Sequence, residues 1–157
     1  MIEELLSRAE RLTVGTIVVG VDGSPGAELA LRFAAGEAKL RGADLRVVTA
    51  WHVPTMAYSG GFAAASIDPT EFEKSARAGL EQTVRALADE LTGLKVEQVV
   101  ELGQPAELLV EQAKGADLLV VGTRGHGGFA GLLLGSVSQQ CAHHAPCPVV
   151  IVRGEAK

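Results

Sequence analysis

The sequence predicts one α/β domain in which a parallel β-sheet is covered by helices on both faces. Two observations predict it. Strand-like and helix-like segments alternate along residues 16–153. The strand-like segments are mostly continuous apolar runs, as expected where both faces of a sheet are buried. Parallel strands need crossover connections, and those crossovers place helices on the faces. At 157 residues and 47 % apolar content, the chain is long enough to bury one substantial core.

The elements follow in order. Residues 16–21 (TIVVGV) form a β-branched run that ends in the turn residues Asp22, Gly23, Ser24 and Pro25. Ala27, Ala30, Leu31, Ala34 and Ala38 then recur on one face of a helix that Gly42 closes. Residues 45–51 (LRVVTAW) read as the second strand. Residues 52–67 show no period and read as a mobile loop. Asp68 and Pro69 open a long helix running to about Leu91. Residues 96–102 (VEQVVEL) alternate, which suits a strand near the sheet's edge. Pro105 starts a helix whose inner face is Ala106, Leu109, Val110 and Ala113, and Gly115 stops it. Residues 117–122 (DLLVVG) are the most buried-looking strand. A glycine-rich loop, a helix over 136–145 and a fifth strand over 148–153 (PVVIVR) complete the chain. Residues 1–13 stand outside the alternation as a helical extension, and 14–154 form the domain.

Composition excludes several classes. The net charge is −5 with no block of lysine and arginine, so a nucleic-acid partner is not expected. No stretch approaches the ~20 apolar residues that span a bilayer. The opening residues MIEELLSRAERLT carry acids and lack the apolar run of a signal peptide. Two cysteines are too few for a disulfide scaffold. A cytoplasmic protein is the expectation.

The chemistry concentrates where open α/β sheets bind ligands, beyond the carboxyl ends of the strands. There the ends are Asp22, Ala50 with Trp51, and Gly122 onward. After the fourth strand come Gly122 and Gly125, nine further residues, then Gly135 and Ser136. Glycines let backbone approach a phosphate and take positive φ, so that successive N–H groups form an anion nest. Ser136 begins a helix, whose unpaired N–H groups and dipole favour a polyphosphate. Its hydroxyl can cap that helix or donate to a phosphate oxygen. The plain alternative is a flexible glycine-rich turn.

The pattern G-x2-G-x9-G-S resembles the nucleotide motif of the universal stress protein family. The segments IVVGVDGSPGAELAL, DLLVVGTRGHGGFAGLLLGSVS and HHAPCPVVIVR agree with it in order and spacing. The resemblance implies a Rossmann-like, five-stranded parallel sheet in the order 3-2-1-4-5. It also implies ATP as ligand, with Mg²⁺, because the motif-bearing members bind it. Carried over residue by residue, Asp22 accepts from the ribose hydroxyls, as suits an acceptor-only carboxylate. Gly20, Val21 and Ala50 frame adenine with backbone groups and small apolar surface. Gly122, Thr123, Arg124, Gly125, Gly135, Ser136 and Val137 hold the phosphates, and Ser138 adds a hydroxyl nearby. Arg124 either pairs with a phosphate or is a solvated loop charge.

Rival motifs are weaker. Gly125 to Ala130 spells G-x-G-x-x-A, but no later strand bears a ribose-binding acid. A Walker A loop needs Gly-Lys, which is absent from the sequence. Cys141, His143, His144 and Cys147 invite zinc, yet Cys141 and His144 share the helical face of Val137, which reads as core packing and helix-end capping. His126 could touch a phosphate, and His52 reads as a surface residue. No nucleophile with its base, paired acids or lysine for a γ-phosphate stands in a recognisable motif. Three functions follow: a nucleotide-dependent stress or signalling protein with at most weak hydrolysis, a true hydrolase or transferase, and an interaction module with a structural nucleotide. Assembly is expected to be a homodimer through residues 148–153, an apolar edge that only Arg153 guards. The alternative cover for that edge is the chain's own residues 2–12.

Overall fold

The computed structural model describes residues 1–3, 14–54, 68–123 and 134–154. Strand β1 is Thr16–Gly20, helix α1 is Pro25–Arg41, β2 is Asp44–Trp51 and α2 is Pro69–Ala86. A single turn α3, Ala88–Leu91, precedes β3, Val96–Leu102. Helix α4 is Pro105–Gln112, β4 is Leu118–Gly122, α5 is Ser136–His144 and β5 is Val149–Val152. The strands form one five-stranded sheet in the order β3-β2-β1-β4-β5, and every pair is parallel. The expected fold class and strand order therefore hold.

Alternation of side chains across a sheet covered on both faces explains why the inner strands β1 and β4 are almost wholly apolar. Ile17 and Val19 of β1 point to the face covered by α1 and α2, where Leu31, Leu80 and Leu87 meet them. Val18, between them, points to the opposite face, covered by Leu108 and Leu109 of α4 and Cys141 of α5. A fully buried leucine such as Leu31 contributes about 2–3 kcal/mol to this core. Helix α1 is fixed at both ends. The Ser24 hydroxyl accepts from the Ala27 amide, and Gly42 closes the helix at φ 63°.

Two helix expectations need correction. The helix opened by Asp68 breaks at Leu87, whose φ of −106° leaves the helical region. The break lets both Leu87 and Leu91 reach the core, 1 % and 7 % exposed. In α4 the buried residues are Ala106, Leu108 and Leu109, while Val110 is only half-buried. That helix lies between the sheet and α5, so two adjacent leucines face inward instead of one stripe. The loop expected over 52–67 falls outside the described residues from 55 onward, as do residues 4–13 of the expected extension.

Candidate functional site

A cavity of about 380 Å³ opens at the carboxyl ends of β1, β2 and β4, where the winding of the sheet reverses. Its size is that of a small-molecule pocket. β1 supplies Gly20, and the turn after it supplies Val21, Asp22 and Ser24. β2 supplies Val48 and Ala50, and β4 supplies Val121 and Gly122, followed by Thr123. Gly135, Ser136, Val137 and Ser138 close the far wall, and Pro105 and Leu109 of α4 form an apolar side. The structure thus brings together Gly20, Val21, Asp22, Ala50, Gly122, Thr123, Gly135, Ser136, Val137 and Ser138. Arg124, Gly125 and His126 lie outside the described residues.

Backbone direction gives the cavity hydrogen-bonding walls. Along β2 the Leu45 amide donates toward β3, to Lys95, and the Asp44 amide toward β1, to Gly15. Alternation then turns the N–H and C=O of Ala50 to the β1 side. β1 has ended there, its last rung being the Val21 amide to the Val48 carbonyl at 2.9 Å. On the other side the Leu119 and Thr123 amides donate to β5, so the Gly122 peptide also faces β1. The Val21 carbonyl accepts from the Thr49 hydroxyl at 3.0 Å, and Ala50 turns its peptide groups toward the cavity beyond the end of β1.

The carboxylate of Asp22 is exposed at the mouth, and its Oδ1 accepts from the Ser24 amide at 3.0 Å. Ser24 is 5 % exposed and caps α1, so the acid is tied to the start of that helix. At the far wall Gly135, not Ser136, is the N-cap of α5, and no described side chain caps the helix. The expectation that the Ser136 hydroxyl caps α5 is thus corrected. Ser136 sits one residue too late, at the first helical position, and is exposed. The hydroxyl of Ser138 is buried and lies 3.0 Å from the carbonyls of both Thr123 and Gly135. Its single hydrogen is used there, so Ser138 braces the wall and does not present a free donor.

The glycines also differ from expectation. Gly135 has φ −76°, and Gly122 takes no positive φ either. What requires glycine at 122 is close approach, since a Cβ there would meet the Gly26 carbonyl oxygen at 2.9 Å. A Cβ on Gly20 would meet the Leu109 side chain at 2.8 Å. Ser24, Ala27, Val48, Pro105, Leu109 and Val121 were not expected in the site. A strand-end or helix-start position beside the switch point is the signal that would have found them. His52, read as a surface residue, is exposed but lines the mouth. Among the described lining residues Asp22 carries the one formal charge.

The cysteines belong to the packing. Cys141 lies in the core beneath α5, and burial pushes its thiol up to about 11. Burial, and next the Asp117 carboxylate, also raise Cys147. A more open hollow over the ends of β2 and β3 is lined by Trp51, Leu102 and Glu107, among others.

The model of the universal stress protein family matches residues 13–153. The chain belongs to the universal stress protein family. A universal stress protein of Thermus aquaticus is 43 % identical over 143 residues, covering 88 % of this chain and 98 % of that one. One from Mycolicibacterium smegmatis is 40 % identical over 143 residues, covering 87 % of this chain but 45 % of the relative. The chain thus spans about half the length of the mycobacterial relatives it matches. Among solved structures, a universal stress protein from Archaeoglobus fulgidus in complex with dAMP is 30 % identical. It covers 89 % of this chain and 98 % of its own, with a TM-score of 0.65. A universal stress protein in complex with cAMP is 29 % identical, with coverage of 88 % and 96 % and a TM-score of 0.67.

Proposed function

We propose that this universal stress protein binds ATP, with Mg²⁺, in the cavity at the switch point, and works as a nucleotide-dependent stress-response or signalling module in the cytoplasm. One observation carries the reading. The start of α5, with no described side chain capping it, opens on the same cavity as the Ala50 backbone and the Asp22 carboxylate. An anion, a base edge and a ribose diol each have a matching group there. The dAMP and cAMP complexes of similar proteins support an adenine nucleotide.

In this reading Ala50 reads the adenine edge with Gly20, Val21 and Leu109 as apolar walls, and Asp22 accepts from the ribose. The amides of Ser136, Val137 and Ser138 face the phosphates, with Gly122, Thr123 and Gly135 beside them. Arg124 and Gly125, which lie outside the described residues, belong to the same proposed phosphate set. Mg²⁺ would be held by phosphate oxygens and water, its usual mode, since Asp22 is the single carboxylate among the described lining residues. The role we assign is nucleotide-dependent binding with at most weak hydrolysis. Residues 1–13 act as an extension, and two copies pair through β5.

Denaturing freshly purified protein and chromatographing the released nucleotide tests this. ATP supports the reading. ADP points to turnover, and protein that releases nothing and takes up no ATP removes the nucleotide altogether.

A further inference from the structure

We infer that Gly122 is a positioning residue for Asp22, acting through the first turn of α1. A Cβ at position 122 would lie 2.9 Å from the Gly26 carbonyl oxygen, 3.0 Å from its carbon and 3.5 Å from the Ala27 amide nitrogen. All three are backbone atoms of α1. A helix carbonyl is held by its own i+4 hydrogen bond, so it cannot swing aside as a side chain can. Gly20 differs, because a Cβ there meets the flexible end of Leu109.

The contact leads directly to the acid. Gly26 and Ala27 belong to the turn that Ser24 caps, the Ser24 hydroxyl accepting from the Ala27 amide at 3.2 Å. The amide of the same Ser24 holds Oδ1 of Asp22 at 3.0 Å. Glycine at 122 lets the start of α1 seat against the end of β4, and that seat fixes where the carboxylate stands at the mouth. A methyl group at 122 pushes the turn outward and carries Asp22 with it. The packing half of this inference stands without any ligand. The half concerning ribose rests on the proposed nucleotide reading.

The experiment compares wild type with Gly122→Ala in three readouts. Without nucleotide, the melting temperature of the variant falls by roughly 3–10 °C, as for an overpacked contact. In ¹⁵N spectra of the same ligand-free protein, the Ser24, Gly26 and Ala27 amides shift. In titrations, the preference for ATP over a 2′,3′-dideoxy analogue, about tenfold or more in wild type, drops toward unity. A variant with unchanged melting and unchanged α1 amides, equally weakened for both nucleotides, would overturn the inference and leave Gly122 with its place beside the phosphates alone. If Gly122→Ala does not fold, Ser24→Ala, which cuts the hydroxyl's link to the Ala27 amide and leaves position 122 untouched, should lower the same ATP preference; an unchanged preference in Ser24→Ala overturns the inference. Wild type that binds neither nucleotide would defeat the nucleotide reading, while the ligand-free spectra would still decide the packing.

Discussion

The Gly135 amide donates to the Thr123 carbonyl at 2.7 Å, so the two ends of the glycine-rich segment meet at one backbone hydrogen bond. The buried Ser138 hydroxyl reaches the same Thr123 carbonyl from the first turn of α5. Together these contacts set the start of α5 against the end of β4, where the proposed phosphates lie.

Ser138→Ala is therefore expected to weaken ATP while leaving the fold in place. The lost hydrogen bond is worth about 0.5–1.5 kcal/mol to stability, because the Thr123 carbonyl keeps the Gly135 amide as a partner. Calorimetric titration and thermal melting check the two effects separately. An unchanged affinity would mean that the wall does not depend on this brace.

Asp22→Asn keeps an oxygen for the Ser24 amide and removes the charge. The affinity for ATP is expected to fall by about 1.5–3 kcal/mol, the scale of a hydrogen bond to a charged group. A deoxy-ribose nucleotide should show little further loss on the variant. A variant that still separates ribose from deoxyribose as strongly as wild type would remove Asp22 from the ribose.

How legible the fold was depended on how strongly each residue's burial is patterned. Ala27, Ala30, Leu31, Ala34 and Ala38 could be placed on α1's inner face because their spacing admits one helix, and all five are buried. Val110 was misplaced because α4 packs against two neighbours, which no single stripe encodes. The site was legible where a residue type has a narrow use at a strand end, as with Asp22 and Gly122. The reason for Gly122 was not legible, because it lies in a helix almost a hundred residues earlier in the chain. Ser138 could be read as a polar group near the wall, but whether its hydroxyl faces ligand or backbone is a matter of tertiary contact.

β5 is an edge strand of the sheet. Its Val152 carbonyl accepts from Thr123 on the β4 side, so alternation turns the peptide of Ile151 outward. Sedimentation of wild type is expected to show a dimer at micromolar concentration, and Ile151→Pro, which removes an outward N–H, a monomer. Lysine at Val150 and Val152 is a poor test, since both side chains pack against the core. Wild type that stays monomeric at high concentration would contradict pairing through β5.

The Cys141 thiol, raised by burial from 9.0 to about 11, links stability to alkaline pH. The folded state keeps its proton where the unfolded chain would lose it. The stabilisation is thus fully present below pH 9.0 and is lost as pH rises through about 11. Chemical denaturation across that range should show stability falling, with a shallower fall in Cys141→Ala. Equal slopes would contradict the linkage. At neutral pH Cys147 should alkylate before Cys141, which is fully buried.

The central claim is that an adenine nucleotide occupies the cavity between the ends of β1, β2 and β4, and amide mapping tests it most directly. Adding ATP with Mg²⁺ to ¹⁵N-labelled protein is expected to give saturable shifts largest at Ala50, Gly122, Ser136, Val137 and Ser138, with Asp22 and Ser24 following. Saturable shifts confined to the hollow at Trp51 and Leu102, or none at millimolar ATP, would contradict it.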